Sequence, residues 1–112
     1  MRITYNKLVR DKVVGILMQE GKNPEYERQV DFERKLHVLF SKAREENDEV
    51  AEAVKARDIN KLCEEVGDVI QTYLAIGKML GLSSEAIERS RRMKLAAKGG
   101  FDNGDFLISA EK

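Results

Sequence analysis

Two pairs of acidic residues have the types and the spacing that could perform chemistry in this 112-residue chain. Glu46 and Glu49 form the first pair, and Glu65 and Asp68 form the second, and the members of each pair are three residues apart. Residues at this spacing project from the same side of an α-helix, about one turn apart. Each pair could therefore hold one cation from two points. Ligation by carboxylate oxygens alone favours Mg²⁺, with Mn²⁺ as a substitute.

The elements that must position these acids are predicted to be helices. The chain contains one proline, and its apolar residues recur at the helical period of about 3.6 residues, so an all-α fold is expected. Capping residues set the boundaries, with Asp31 and Ser83 or Ser84 as N-caps and Gly21 and Gly81 as stops. The four predicted helices cover about residues 7–20, 31–54, 59–80 and 84–99. In the tail, Asn103-Gly104 predicts a tight hairpin turn.

The connection between the second and third helices gives an independent argument. Two long helices joined by a short connection lie antiparallel, and Arg57 falls inside the predicted connection. Glu46 and Asp68 are both eleven positions from Arg57. Glu49 and Glu65 are both eight positions from it. Folding there brings all four carboxylates together, and such a cluster repels itself strongly unless cations bind.

The first acidic pair lies close to the apolar stripe of the second helix. Glu46 lies about 50° and Glu49 about 110° from the centre of the apolar stripe, so the pair borders the buried face. Either pair alone is more typical of a solvated helix face, because 20 acids in one chain produce such pairs by chance. The shared register and the position beside the stripe favour the metal site.

The acidic segments resemble the signature of a known family. Glu-Glu-x-x-Glu at residues 45–49 and Glu-x-x-Asp at residues 65–68 are similar to the metal-binding motif of the MazG-like all-α nucleoside triphosphate pyrophosphohydrolases. This superfamily includes phosphoribosyl-ATP pyrophosphohydrolase and the dimeric dUTPases. Residues 5–12 (YNKLVRDK) and 98–101 (KGGF) resemble the termini of its phosphoribosyl-ATP pyrophosphohydrolase-like branch. Val13-Val14 departs from the isoleucine-proline pair more common in that branch, which leaves the start of the first helix open.

The resemblance implies a helical core built from two or more chains and a site for one to three magnesium ions. The implied reaction is house-cleaning hydrolysis of a nucleoside triphosphate, canonical or non-canonical, to the monophosphate and pyrophosphate. Carried over position by position, the metal ligands are Glu46, Glu49, Glu65 and Asp68. Glu45, one turn before Glu49, is the candidate base for the attacking water, with a solvated surface role as an equal alternative.

Basic residues are needed to bind a triphosphate, and two groups are candidates. The first lies at three- and four-residue spacing on the fourth helix and comprises Arg91, Lys94 and Lys98. The second lies near the N-terminus and comprises Lys7, Arg10 and Lys12. The Gly99-Gly100 pair allows close backbone approach to phosphate and favours the first group.

Composition bounds the remaining possibilities. Twenty basic and 20 acidic residues leave no net field to attract nucleic acid, so neither a nucleic-acid partner nor a membrane partner is expected. The chain is predicted to be one domain, residues 1–112, in the cytoplasm. Its long apolar stripes exceed what one short bundle can cover, which predicts a homodimer or homotetramer. Two alternatives stay open: the phosphoribosyl-ATP pyrophosphohydrolase of histidine biosynthesis, and a non-catalytic helical dimerisation module.

Overall fold

Four helices and no strands make up the computed structural model, which describes all 112 residues. The helices are α1 (Val13–Gln19), α2 (Phe32–Ala56), α3 (Ile59–Met79) and α4 (Ser84–Lys98). The predicted all-α class is confirmed. No helix has the length and apolar character needed to cross a membrane.

Side-chain caps begin the three long helices, at Asp31 and Ser83 as predicted and also at Asp58. Asp31 accepts a hydrogen bond from the Arg34 amide, Asp58 accepts one from the Lys61 amide, and Ser83 accepts one from the Ala86 amide. These bonds satisfy amides that have no partner within the helix. The starts of α2, α3 and α4 are therefore specified locally.

The turn between α2 and α3 is short and sharply defined. Arg57 has a left-handed backbone (φ 56°), and its amide bonds to the Val54 carbonyl while the Asp58 amide bonds to the Ala53 carbonyl. This pair of bonds is a Schellman ending, which reverses the chain at the end of a helix. The reversal folds α3 back along α2, and this hairpin is the main packed unit of the chain.

One stripe of side chains on each helix forms the seam of the hairpin. On α2 the buried positions are Leu39, Ala43, Glu46 and Ala53, and on α3 they include Glu65 and Thr72. The spacing of three, four and seven residues matches one helix face. Two carboxylates thus lie on the stripe that packs the helices together.

Two predicted features of the ends are wrong. The first helix begins at Val13 rather than near Lys7, and the first turn of the chain closes where the Val13 amide bonds to the Arg10 carbonyl. In the tail, a turn does close where the Gly104 amide bonds to the Phe101 carbonyl, but no strands flank it. An isolated two-stranded hairpin is marginal in water without a sheet or helix to cover it.

The chain buries little apolar surface by itself. Its radius of gyration is 18.3 Å, against about 13 Å for a compact domain of this length. No Cα of α1 lies within 8 Å of another helix, and α4 touches only α3. A second apolar stripe on α3, formed by Val66, Ile70 and Tyr73, stays 42 to 55% exposed. The architecture is therefore an α2–α3 hairpin, and α1 and α4 pack little or none of their surface against it.

The contact between α3 and α4 depends on Gly77. A Cβ there would lie 3.2 Å from Ile87 Cδ1 and 3.5 Å from Leu82 Cδ2. We expect Gly77→Val to lower the free energy of unfolding by about 1 to 3 kcal/mol, because the added methyl groups overpack this contact. Urea denaturation followed by circular dichroism measures the change.

Gly67→Val is the matched control for that substitution. Gly67 lies on the same helix, and a Cβ there meets no atom within 4 Å. Valine has a better helix propensity than glycine, so this control should not lose stability. Equal losses in both variants would show that packing at Gly77 is not the cause.

Candidate metal centre

Three carboxylates meet across the seam of the α2–α3 hairpin. Oxygen atoms of Glu46, Glu49 and Glu65 all lie within 4.8 Å of one another. Glu46 and Glu65 are 5% and 3% exposed, whereas Glu49 lies at the edge of the seam and is partly exposed. The proximity of Glu49 to Glu65 fits the register expected from a turn at Arg57.

The two carboxylate oxygens of each buried acid have different surroundings. Oε2 of Glu46 and Oε2 of Glu65 are buried and have no hydrogen-bond partner. A buried charged oxygen without a partner is strongly unfavourable, and most such atoms in folded proteins are satisfied. When all three acids are ionised, these two atoms lack a positive charge or a donor, and a hard cation bound between the helices would supply the charge.

Two lysines partner the other oxygens of the same acids. Lys42 Nζ lies 3.0 Å from Glu46 Oε1 and 3.2 Å from Glu45 Oε1, and Lys61 Nζ lies 2.9 Å from Glu65 Oε1. The side chain of Lys42 is only 19% exposed, unlike that of an ordinary surface lysine on a helix. A lysine four positions before each buried acid is the signal that could have identified both.

The close approach of the carboxylates changes their ionisation. The neighbouring Glu65 carboxylate, then burial and the charge of Glu46, raise the pKa of Glu49 to about 7. Lys61 has the opposite influence on its partner and holds the pKa of Glu65 below its ordinary value. Burial acts to lower the pKa of Lys42, but its bonds to Glu46 and Glu45 outweigh burial and raise it. Glu49 therefore keeps its proton at pH values where Glu65 has lost its own.

Asp68, the fourth predicted ligand, lies outside this group of three. Its carboxylate pairs with the Arg10 guanidinium, which comes from the segment before α1. Both side chains are substantially exposed, at 36% and 62%. Exposed pairs of this kind contribute about 0 to 1 kcal/mol, so the contact is a weak restraint on Asp68.

The other predicted site residues lie at the surface. Arg91 donates two hydrogen bonds to Glu88, whereas Lys94 and Lys98 are exposed and make no ion pair. Lys7 lies over the Tyr5 ring, with Nζ 5.6 Å from its centroid. Lys12 is exposed.

A cavity of about 330 Å³ adjoins the acids on the side of the interhelical turn. Glu49 and Lys61 line it on the side nearer the cluster, and the remaining lining residues are Glu52, Ala53, Ala56 and Asp58. Its charged lining comprises three acids and one lysine, so the cavity favours a cation over a free anion.

The raised pKa of Glu49 predicts a stability that depends on pH. The folded protein binds this proton up to about pH 7, whereas the unfolded chain releases it near 4.5. The charge of Glu49 therefore destabilises the fold increasingly as the pH rises through this interval. We expect metal-free Glu49→Gln to melt above the wild type at about pH 8, with a difference that shrinks towards pH 5.

Melting temperatures in EDTA across this pH range test the expectation. Glu52→Gln is the control, because Glu52 is an exposed acid on the same helix. A difference between Glu49→Gln and the wild type that stays constant from pH 5 to pH 8 would contradict the shared proton.

Comparison with known proteins identifies the fold family. A family model described as the MazG nucleotide pyrophosphohydrolase domain matches residues 34–96, which is more than half of the chain. The matched region runs from the first turn of α2 into α4 and contains the three clustered acids and their two lysines. Comparisons with curated proteins and with solved structures give no match. The chain belongs to the MazG nucleotide pyrophosphohydrolase domain family.

Proposed function

We propose that this protein hydrolyses a nucleoside triphosphate, canonical or non-canonical, to the monophosphate and pyrophosphate with Mg²⁺ as cofactor. The observation that carries the proposal is the pair of buried, unpartnered oxygens on Glu46 and Glu65, beside Glu49. The family match supports nucleotide pyrophosphohydrolysis as the type of reaction. The identity of the nucleotide and the need for magnesium are parts of the proposal.

The residues present fit a magnesium site. All the clustered donors are carboxylate oxygens, and the exposed Cys63 is the only cysteine in the chain. Glu46, Glu49 and Glu65 would hold the ion, and Asp68 would join them after leaving Arg10. Magnesium supplies charge neutralisation for the phosphate oxygens and for the departing pyrophosphate. Mn²⁺ has the same ligand preference and should substitute.

Glu45 is the proposed base for the attacking water. It lies next to Glu46, and Lys42 bonds to both carboxylates, so the two side chains are tied together. A carboxylate at the edge of the acidic cluster can accept the proton of the attacking water while it stays in place beside the other acids. The raised pKa of Glu49 belongs to the metal-free cluster, because a cation would favour its ionised form.

The phosphate-binding residues are proposed to come from α4 and the N-terminal segment. The two bonds to Glu88 occupy Arg91, which leaves Lys94 and Lys98 as the freer cations of α4. On the other side, Arg10 already lies at the site through Asp68. If Asp68 turned towards a metal, the Arg10 guanidinium would be released beside the triphosphate.

Two alternatives differ in what they predict for substrate and turnover. A phosphoribosyl-ATP pyrophosphohydrolase would use the same acids and cleave the same kind of bond in a ribosylated nucleotide. A non-catalytic dimerisation module would bind no triphosphate productively. Pyrophosphate release from a panel of canonical and damaged nucleoside triphosphates, with phosphoribosyl-ATP included, separates these possibilities.

The single-domain organisation and the cytoplasmic location stay predictions.

A homodimer or homotetramer is proposed as the working form. The exposed stripe of Val66, Ile70 and Tyr73 repeats at helical spacing, as an interface would. It lies on the same helix as Glu65, so the proposed interface and the proposed metal site share α3. The low burial within one chain supports the same proposal.

Glu65→Gln should abolish the reaction if the acids hold the metal. The substitution keeps the shape of the side chain and removes the charge of the most buried acid. We expect a fall in turnover of at least about 10- to 100-fold, the usual effect of weakening a metal site. The measurement is Mg²⁺-dependent pyrophosphate release by protein whose helicity is unchanged.

Glu64→Gln is the matched control, since Glu64 is the exposed neighbour on α3. It should retain wild-type turnover. A folded Glu65→Gln variant as active as this control would refute the metal assignment. Turnover by the wild type in excess EDTA would refute the need for a metal.

Ile70→Lys should weaken the proposed oligomer. A lysine at the centre of the exposed α3 stripe leaves an ammonium group facing apolar partner atoms, which is unfavourable without a counter-charge. Light scattering should show a dimer or tetramer for the wild type and a shift towards monomer for the variant. Gln71→Lys adds the same charge at the next exposed position and should leave the oligomer intact. A monomeric wild type at micromolar concentration would contradict the proposal.

A further inference from the structure

Each buried acid of the cluster has its two oxygens in different surroundings. On Glu46, Oε1 contacts Lys42 and Oε2 has no partner. On Glu65, Oε1 contacts Lys61 and Oε2 again has no partner. The same division on two different helices indicates that it is a feature of the site and not an accident of one side chain.

The lysines occur only where the acids are buried. In both pairs the lysine lies four residues before the glutamate. The corresponding position before Glu49 is an acid, and so is the position before Asp68. The two partly exposed acids of the motif therefore have no such partner, whereas the two with least access to water both have one.

Helix stability alone does not account for these pairs. A glutamate placed before a lysine suits the helix dipole better than the order seen here, and exposed pairs contribute only about 0.2 to 0.5 kcal/mol. Lys42 is held at 19% exposure, although a free lysine side chain gains considerable rotamer entropy in solvent. The ammonium groups are better explained by what they do to the carboxylates.

We propose that Lys42 and Lys61 are positioning residues that hold one oxygen of Glu46 and of Glu65, so that the other oxygen of each is presented to a divalent cation. Each ammonium group bonds to Oε1, so a cation at Oε2 need not displace it. The lysines thus set the orientation of the carboxylate planes before the metal arrives. This inference rests on the proposed metal-dependent function.

The opposite reading is that the lysines are internal counter-ions that compete with the metal. The two readings differ in sign. If a lysine competes, its removal should tighten metal binding, because a repelling charge is lost. If it positions the ligand, its removal should weaken binding, since losing an outer partner of a ligand typically costs about 10- to 100-fold in metal affinity.

Mn²⁺ affinity measured by isothermal titration calorimetry, without nucleotide, is the test. Lys42→Met and Lys61→Met keep the apolar length of the side chain and remove the ammonium group. We expect each to weaken Mn²⁺ binding by about tenfold or more. Lys42→Arg and Lys61→Arg retain a donor with a positive charge and should recover most of the affinity.

Lys35→Met on α2 and Lys78→Met on α3 are the matched controls. Both lysines are exposed, lie on the same two helices and make no ion pair. These variants lose the same formal charge far from the cluster, so they report the general electrostatic effect. They should bind Mn²⁺ like the wild type.

The possible results distinguish the proposed metal site from the proposed positioning role of the lysines. Wild-type protein that binds no Mn²⁺ would overturn the metal site and the positioning role together. If the wild type binds Mn²⁺ and Glu65→Gln does not, the metal site stands. Unchanged or tighter binding by Lys42→Met and Lys61→Met would then overturn the positioning role alone. Lys61 is 54% exposed, so its substitution should leave the fold intact even if that of Lys42 does not.

Discussion

Burial of two carboxylates in the seam between α2 and α3 is the constraint on which the rest of this structure depends. An ionised carboxylate that leaves water loses several kcal/mol unless charges or hydrogen bonds replace its hydration. Lys42 and Lys61 replace it for one oxygen of each acid, and the second oxygens stay unsatisfied. A purely structural ion-pair network would satisfy both. The incomplete compensation is what makes the cluster a candidate for ligand binding.

Packing and site assembly use the same contacts in this hairpin. Glu46 lies on the stripe that contains Leu39 and Ala43, so the apolar packing that sets the register of α2 against α3 also sets the acids against each other. The turn at Arg57 fixes the length of the connection and hence that register. No further element is needed to bring the three carboxylates together.

The sequence predicted this part of the molecule well because its determinants are local and periodic. N-caps, the stop at Gly81 and the period of the apolar residues specify the long helices. Equal distances from Arg57 predicted that Glu49 meets Glu65, but not that Asp68 lies outside the cluster. The side-chain partners were harder to predict. A lysine on a helix is usually solvated, and only the three-dimensional burial of Glu46 distinguishes Lys42 from that rule.

The ends of the chain were predicted less well for a different reason. Asn6 and Gly104 have left-handed backbones, which the period of the apolar residues does not predict. The segments around them pack against little else in the chain. Periodicity is informative only where an element buries one face. The first helix and the tail bury almost nothing, so their apolar residues do not report a boundary. The pairing of Asp68 with Arg10 lies beyond sequence reasoning for the same reason.

Low burial and crowded charge together link the stability of this hairpin to what it binds. Only seven residues are buried, and the raised pKa of Glu49 shows that the metal-free cluster resists full ionisation. Any partner that binds the folded hairpin and not the unfolded chain adds stability by mass action. A cation at the acids and a second chain on the exposed α3 stripe would both act this way. Since both would bind the folded hairpin and not the unfolded chain, each would favour the conformation that the other requires, without direct contact between the ligands.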